Sequence, residues 1–247
     1  MDSKNIVLNV NGIEVIYNHV ILVLKGVSLQ VPQGSIVAIL GGNGAGKTTT
    51  LRTIMGLWHA SRGTVRFADE DITQTRTPDI ACAGISYVPE SMGIFSDLTV
   101  RENLFLAARS VKKADQMDEA RLEWIFGFFD ALKKFWNQPA GTLSGGQKQM
   151  VAIARAIVEP RKLILIDEPT KGLAPAIIQG MVAAFRELKR TETILLVEQN
   201  FSFVCALGDT VAVMDGGRIV HSGAMADLAG DQELQHRLLG LSMDSHQ

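Results

Sequence analysis

An α/β fold carrying an inserted helical segment is what this sequence predicts, and three observations predict it. Short apolar runs of strand length recur in the first and last thirds of the chain. Between them, roughly Thr99 to Val158, helix-start signals and helical spacing take over. After Val158 strands and helices alternate again, the pattern of a sheet whose strands are joined by crossover helices.

Taken in order, Ile6-Val7-Leu8 and Val20-Ile21-Leu22-Val23-Leu24 are strand-like runs bounded by polar turns, and Val27-Ser28-Leu29-Gln30-Val31 alternates with period two. Ser35 to Leu40 is continuously apolar and runs into glycines, as a strand buried on both faces does. Lys47 to Met55 is helix-compatible, and Thr64-Val65-Arg66-Phe67 alternates again. Thr99-Val100-Arg101-Glu102 has the spacing of a capping box, continued by Leu104, Phe105, Ala108 and Val111. A charged stretch, Val111 to Glu123, leads to Trp124, Phe126, Phe128, Phe129, Phe135 and Trp136, aromatics expected to pack a helical lobe and not to bind a ligand. Leu163 to Ile166 reads as a buried strand, Pro175 to Arg190 as an amphipathic helix and Thr193 to Val197 as a strand. Val211–Met214 and Arg218–Ser222 flank the turn signal Asp215-Gly216-Gly217. No internal repeat or low-complexity segment interrupts them.

Composition narrows the function classes. The 47% apolar content is enough for a sizeable core, and a net charge of −2 argues against a nucleic-acid binder that works by bulk positive charge. Cys82 and Cys205 stand far apart among apolar neighbours, so they are expected to be small core residues in a reducing compartment. The glycines, proline and amides between Gly26 and Gly46 suit no membrane span, and the run after Met1-Asp2-Ser3-Lys4 is short for a signal sequence; a cytoplasmic location is expected.

Three motifs carry chemistry. Gly41-Gly42-Asn43-Gly44-Ala45-Gly46-Lys47-Thr48, followed by Thr49, satisfies the P-loop pattern between a strand and a helix. Glycines let backbone N–H groups wrap a phosphate at a helix N-terminus. Lys47 then supplies a point charge, and Thr48 a hydroxyl for Mg²⁺. Leu163 to Glu168 is an apolar strand ending in two carboxylates. Asp167 suits a metal's water shell, and Glu168 suits a base that orients the attacking water. Leu143-Ser144-Gly145-Gly146-Gln147 opens another helix and offers a second phosphate-binding surface.

With those motifs in that order, the chain resembles the ATP-binding subunits of ABC transporters over nearly its whole length. The resemblance implies an α/β P-loop ABC-ATPase core with an antiparallel β subdomain and an inserted helical lobe. It makes residues 1–247 a single nucleotide-binding domain, the core in 1–90 and 159–247 and the lobe with the signature segment in 91–158. It implies ATP and Mg²⁺ as ligands and two cassettes packed head to tail, so that Ser144, Gly145, Gly146 and Gln147 serve the partner's nucleotide. Tyr17 falls where the family stacks an aromatic on adenine, and the lobe is the part that touches membrane subunits.

Within the family, Tyr87-Val88-Pro89-Glu90, Lys171-Gly172-Leu173-Ala174-Pro175 and Leu196-Val197-Glu198-Gln199-Asn200 are most similar to ATPase subunits of bacterial branched-chain amino acid importers. At the same stretches the chain departs from the general pattern. Glu90 stands for a glutamine, Ala174 for an aspartate and Gln199 for a histidine at the γ-phosphate. Gln199 donates hydrogen bonds but carries no charge, and Glu90 can approach Mg²⁺ yet repels a γ-phosphate.

The implied protein is an ATP-hydrolysing importer subunit on the cytoplasmic face of the inner membrane. Its catalytic groups are Lys47, Glu168 and Gln199, and its metal-facing groups are Thr48, Asp167 and Glu90. Its partners are a second, different ATPase subunit, two integral membrane permease subunits and, indirectly, a periplasmic binding protein; no nucleic acid is expected. Branched-chain or other hydrophobic amino acids lead as cargo, with urea or short amides and aromatic carboxylates as relatives. A soluble cassette acting on ribosomes or DNA is disfavoured by the single P-loop and by the lack of room for a coiled coil before Ser144. A P-loop kinase or GTPase would have no use for the signature segment.

Overall fold

The computed structural model describes residues 5–18, 20–108 and 117–244, with side chains to 238. Residues 111–116, Val111 and the first part of the charged stretch, lie outside the described residues, as do Met1 to Lys4. Two sheets form. The first, antiparallel, uses β1 (Ile6–Tyr17), β2 (Ile21–Pro32), β4 (Arg62–Phe67) and β5 (Glu70–Asp71) in the order β2-β1-β4-β5. The second has the order β10-β9-β3-β8-β7-β6, built from β3 (Ile36–Leu40), β6 (Ile85–Val88), β7 (Leu163–Asp167), β8 (Ile194–Glu198), β9 (Thr210–Asp215) and β10 (Arg218–Ala224). From β9 to β6 its strands run parallel, and β10 folds back on β9 as a hairpin through Gly216 and Gly217.

Every residue of β3, β7 and β8 is buried, because each face of these strands has its own cover. Ile36, Ala38, Leu40, Ile164, Ile166, Ile194 and Leu196 point into one apolar cluster, which also contains residues of the helices described next. Val37, Ile39, Leu163, Leu165, Leu195 and Val197 alternate into a second cluster with Leu8, Val10, Ile13 and Val65 of the antiparallel sheet. Continuous apolar sequence is therefore the signature of a sheet sandwiched between two layers.

The helices are α1 (Lys47–Ile54), α2 (Thr77–Ala83), α3 (Val100–Ala107), α4 (Glu119–Phe128), α5 (Asp130–Lys134), α6 (Gly145–Ile157), α7 (Pro175–Leu188), α8 (Phe201–Leu207), α9 (Met225–Gly230) and α10 (Gln232–Asp244). The Thr99–Glu102 capping box forms as its spacing predicts: the Thr99 hydroxyl accepts the Glu102 N–H at 3.1 Å, and the Thr99 N–H donates back to the Glu102 carboxylate at 2.8 Å. α3 ends at Ala107 and not beyond Ala108, whose backbone is extended. The aromatics of α4 and those flanking α5 pack on the first cluster, with Phe129 fully buried and Trp124–Phe128 and Phe126–Trp136 meeting edge to face. No helix among the described residues is long and apolar enough to cross a membrane.

Three expectations are corrected. The short strand at Ile6–Leu8 extends to Tyr17, and the two runs at Val20–Leu24 and Val27–Val31 join into the single strand β2. The pairing of β1 with β2 shifts register near Gly12 and Gly26, both at positive φ, so these glycines bend strands that continue through them. Cys82 and Cys205 are exposed, not core.

Candidate functional site

The parallel sheet brings the motifs together by register. Leu40 of β3 lies beside Glu198 of β8, and Asp167 of β7 beside Val197. The residues that follow, Gly41, Glu168 and Gln199, therefore leave the sheet at one edge, the carboxyl ends of its strands, where open α/β sheets place their ligands. The backbone locks this alignment: Gly41 N–H donates to Glu198 O at 3.3 Å and Glu168 N–H to Val197 O at 2.9 Å.

Gly46 caps α1 in the left-handed region at φ 107°, and a Cβ there would come within 2.9 Å of Leu24 Cδ2. A side chain at Gly41 would clash with the carbonyl oxygen of Met214. Glycine is thus required by the turn in one case and by close approach in the other. α1 has no side-chain cap, so its first N–H groups face the loop without a built-in acceptor, the arrangement that receives a phosphate.

Lys47 is 4% exposed. Its ammonium donates to Gly41 O at 2.8 Å and Gly42 O at 2.9 Å, and pairs with Glu168 Oε1 at 3.0 Å. Gln199 links the same groups from another strand end: its Nε2 donates to Asn43 Oδ1 at 2.5 Å and to Glu168 Oε1 at 3.0 Å. Burial alone would push Glu168 up. The hydrogen bonds from Gln199 and Lys47, with the charges of Lys47 and Lys171, outweigh burial and hold the carboxyl below the ordinary glutamate value. Glu168 is therefore an ionised acceptor at neutral pH.

Asp167 is fully buried at the end of β7. Thr48 donates to its Oδ1 at 3.0 Å and the Tyr87 hydroxyl to its Oδ2 at 3.1 Å. Desolvation still raises its pKa against those bonds, helped by the negative charges of Glu168 and Glu90. Burial and the Asp167 carboxylate likewise push the Tyr87 phenol up, which keeps it a donor. A buried carboxylate under that strain, beside a hydroxyl and facing a phosphate-binding loop, suits a Mg²⁺ ion that completes its shell with phosphate and water oxygens. Among the described residues there is no group of three or more His, Cys, Asp or Glu that could hold a metal ion.

Glu90 lines the same cleft as Asn43, Lys47, Thr48, Glu168 and Lys171. Rather than facing open space for a metal, its Oε1 pairs with Lys171, whose Nζ lies 2.6 Å away. Gly42 follows Gly41 at the start of the loop, while Gly44, Ala45, Gly46 and Thr49 line the cleft. Ser144, Gly145, Gly146 and Gln147 do not line it. Ser144 and Gln147 cap α6 reciprocally: Ser144 N–H donates to Gln147 Oε1 at 2.9 Å and Gln147 N–H to Ser144 Oγ at 3.4 Å. Gly146 has a packing reason to be glycine, since a Cβ would come within 2.7 Å of Ile177 Cγ2. Tyr17 is 44% exposed and stacks on Trp58, with ring centroids 5.2 Å apart and planes at 22°.

Sequence reasoning passed over three of these residues. Tyr87 and Glu198 lay in quoted stretches but received no role, and Trp58 was not singled out. Glu198 is 2% exposed, and its carboxylate is filled by four donors. Thr170 N–H (2.9 Å) and Oγ1 (2.7 Å) bond Oε1, while the N–H groups of Gln199 (2.9 Å) and Asn200 (3.1 Å) bond Oε2. It ties the loop after Glu168 to the loop bearing Gln199. The available signal was an acidic residue closing an otherwise apolar strand, a position that requires local donors.

Ala174, the departure from aspartate, is the N-cap of α7 and makes no side-chain cap bond, with Pro175 following at N1. Ala174→Asp is expected to stabilise the chain by about 1 kcal/mol, a rise of roughly 2–4 °C in Tm, by accepting an orphan N–H. Thermal unfolding of the two proteins checks this; an unchanged or lower midpoint counts against a free cap.

The ABC transporter family model matches residues 24–171, more than half of the chain. The chain is 38% identical over 218 residues to the high-affinity branched-chain amino acid transport ATP-binding protein BraG of Pseudomonas aeruginosa, covering 88% of this chain and 93% of BraG. It is 34% identical over 222 residues to a probable branched-chain amino acid transport ATP-binding protein, LivF, of Archaeoglobus fulgidus, covering 89% and 93%. Among solved structures, it is similar to an ATP-binding cassette of an ABC transporter in its ADP conformation, with TM-score 0.78, 29% identity and coverage of 96% and 99%.

Proposed function

The chain belongs to the ABC transporter family and is an ATPase; from that premise we propose that it powers a bacterial importer of branched-chain or other hydrophobic amino acids through separate membrane subunits. The observation that carries the reading is the convergence of Lys47, Glu168 and Gln199 on one another at the ends of three adjacent strands, beside the Thr48–Asp167 pair. Two branched-chain relatives that align over nearly their full length support the cargo class.

In this reading the loop from Gly42 to Thr49 cradles the phosphates of ATP and Lys47 turns its ammonium from the loop carbonyls to them. Thr48 and Asp167 would hold a Mg²⁺ ion, which when bound would supply charge neutralisation to the phosphates. Glu168 accepts the proton of the attacking water. Gln199 keeps Glu168 oriented and offers its amide to the terminal phosphate.

Tyr17, backed by Trp58, is the adenine platform. Ser144, Gly145, Gly146 and Gln147 complete the nucleotide site of a second cassette, a different chain. Residues 91–158 form the lobe that meets two permease subunits, so the protein sits peripherally on the cytoplasmic face of the inner membrane. A periplasmic binding protein delivers the cargo. Urea, short amides or aromatic carboxylates are the alternative cargoes.

Uptake of radiolabelled leucine and urea by cells with and without this chain tests the cargo. Leucine uptake that falls on deletion and returns with the wild-type chain supports the reading; loss of urea uptake alone overturns it.

Because Gln199 stands where the family has histidine, this chain's P-loop site is the less typical of the pair. Gln199→His tests that difference. It breaks the amide bridge to Asn43 and introduces a group that can carry charge. A change of about threefold or more in the ATPase rate of the assembled complex is expected; an unchanged rate counts against a distinct role for Gln199.

A further inference from the structure

Glu90 raises a difficulty that the cleft itself answers. A carboxylate lining a phosphate-binding cleft repels a triphosphate, and the charge of Glu90 already adds to the strain on Asp167. Lys171, from the loop after β7, reaches across to it. Its ammonium lies 2.6 Å from Glu90 Oε1 and 3.4 Å from Glu168 Oε2. The side chains of Glu90, Lys171, Glu168 and Lys47 thus alternate in sign, and their formal charges cancel. The outer pair is open to water, with Lys171 52% and Glu90 41% exposed, so it contributes little to folding. Its consequence is local: it sets the potential where charge beyond the β-phosphate arrives.

We propose that Lys171 is a positioning residue of the nucleotide site: it holds Glu90 and offsets its charge, so that a γ-phosphate is accepted next to a carboxylate. This rests on the reading that the chain binds ATP at its P-loop. It also explains how a cassette can keep glutamate at position 90.

The test is calorimetric titration of the purified chain and of Lys171→Gln, Glu90→Gln, the double variant and the charge swap Glu90→Lys/Lys171→Glu. The probes are ADP and a non-hydrolysable ATP analogue, each with Mg²⁺. Lys171→Gln is expected to weaken the triphosphate by about three- to tenfold and ADP by less than about twofold. The double variant and the charge swap are expected to recover most of the triphosphate loss, and the penalty is expected to shrink in about 0.5 M salt. Equal losses for both nucleotides, or losses that simply add in the double variant, overturn the proposal while leaving the ATP site standing. A wild-type chain that binds neither nucleotide overturns the underlying reading instead.

Discussion

Glu168→Gln is expected to slow ATP hydrolysis by about 10²–10⁴ while ATP binding persists, the range for losing a positioned base. The geometry explains both halves. Glu168 Oε1 receives Lys47 Nζ and Gln199 Nε2, each at 3.0 Å, and a glutamine carbonyl can still accept from them. What it cannot do is take up a proton. The substitution also removes one negative charge beside Lys47, so affinity for the triphosphate should hold or rise. Glu168 sits at φ 45°, an uncommon conformation for a residue with a side chain, and its backbone is held by bonds to Val197 O and from Lys171 N–H as well as by its side-chain partners. Single-turnover hydrolysis and nucleotide titration of the same preparation check the prediction. A rate within a few fold of wild type would remove Glu168 as the base.

Lys47→Ala is expected to act on the other side of the reaction and weaken ATP binding by roughly ten- to a hundredfold. That is the loss of a hydrogen bond to a charged group, about 1.5–3 kcal/mol. Lys47 is buried and spends its three donors on Gly41 O, Gly42 O and Glu168, all within the phosphate-binding cleft or its rim. Removing it also strips Glu168 of the cation 3.0 Å from its Oε1, so the residual negative charge works against a triphosphate. Nucleotide titration reads the effect directly, and intact affinity would contradict the role given to Lys47.

The parts of this fold written in local sequence were readable from it. The P-loop, the Thr99–Glu102 capping box, the helix opened at Ser144 and the apolar strand ending in Asp167-Glu168 depend on residues within a few positions of each other. Element lengths were less so: Gly12 and Gly26 mark bends only once β1 and β2 are paired. The cysteines show how neighbours in sequence mislead. Ile80 of α2 is buried and Cys82, two residues on, faces the opposite side; in α8, Phe203, Val204 and Leu207 are buried and Cys205 turns outward.

At the candidate site, the residue types were legible and their wiring was not. The bond from Tyr87 to Asp167, the Glu90–Lys171 pair and the four donors on Glu198 join segments that only the parallel register of β6, β7 and β8 brings together. The Tyr17–Trp58 stack similarly joins the end of β1 to the loop after α1.

The most direct test of the central claim is to isolate this chain from its native membranes in mild detergent and identify what comes with it. Two multi-span proteins and a second, different cassette are the predicted companions. Recovery of ribosomal proteins or nucleic acid, or of this chain alone, would contradict the importer account.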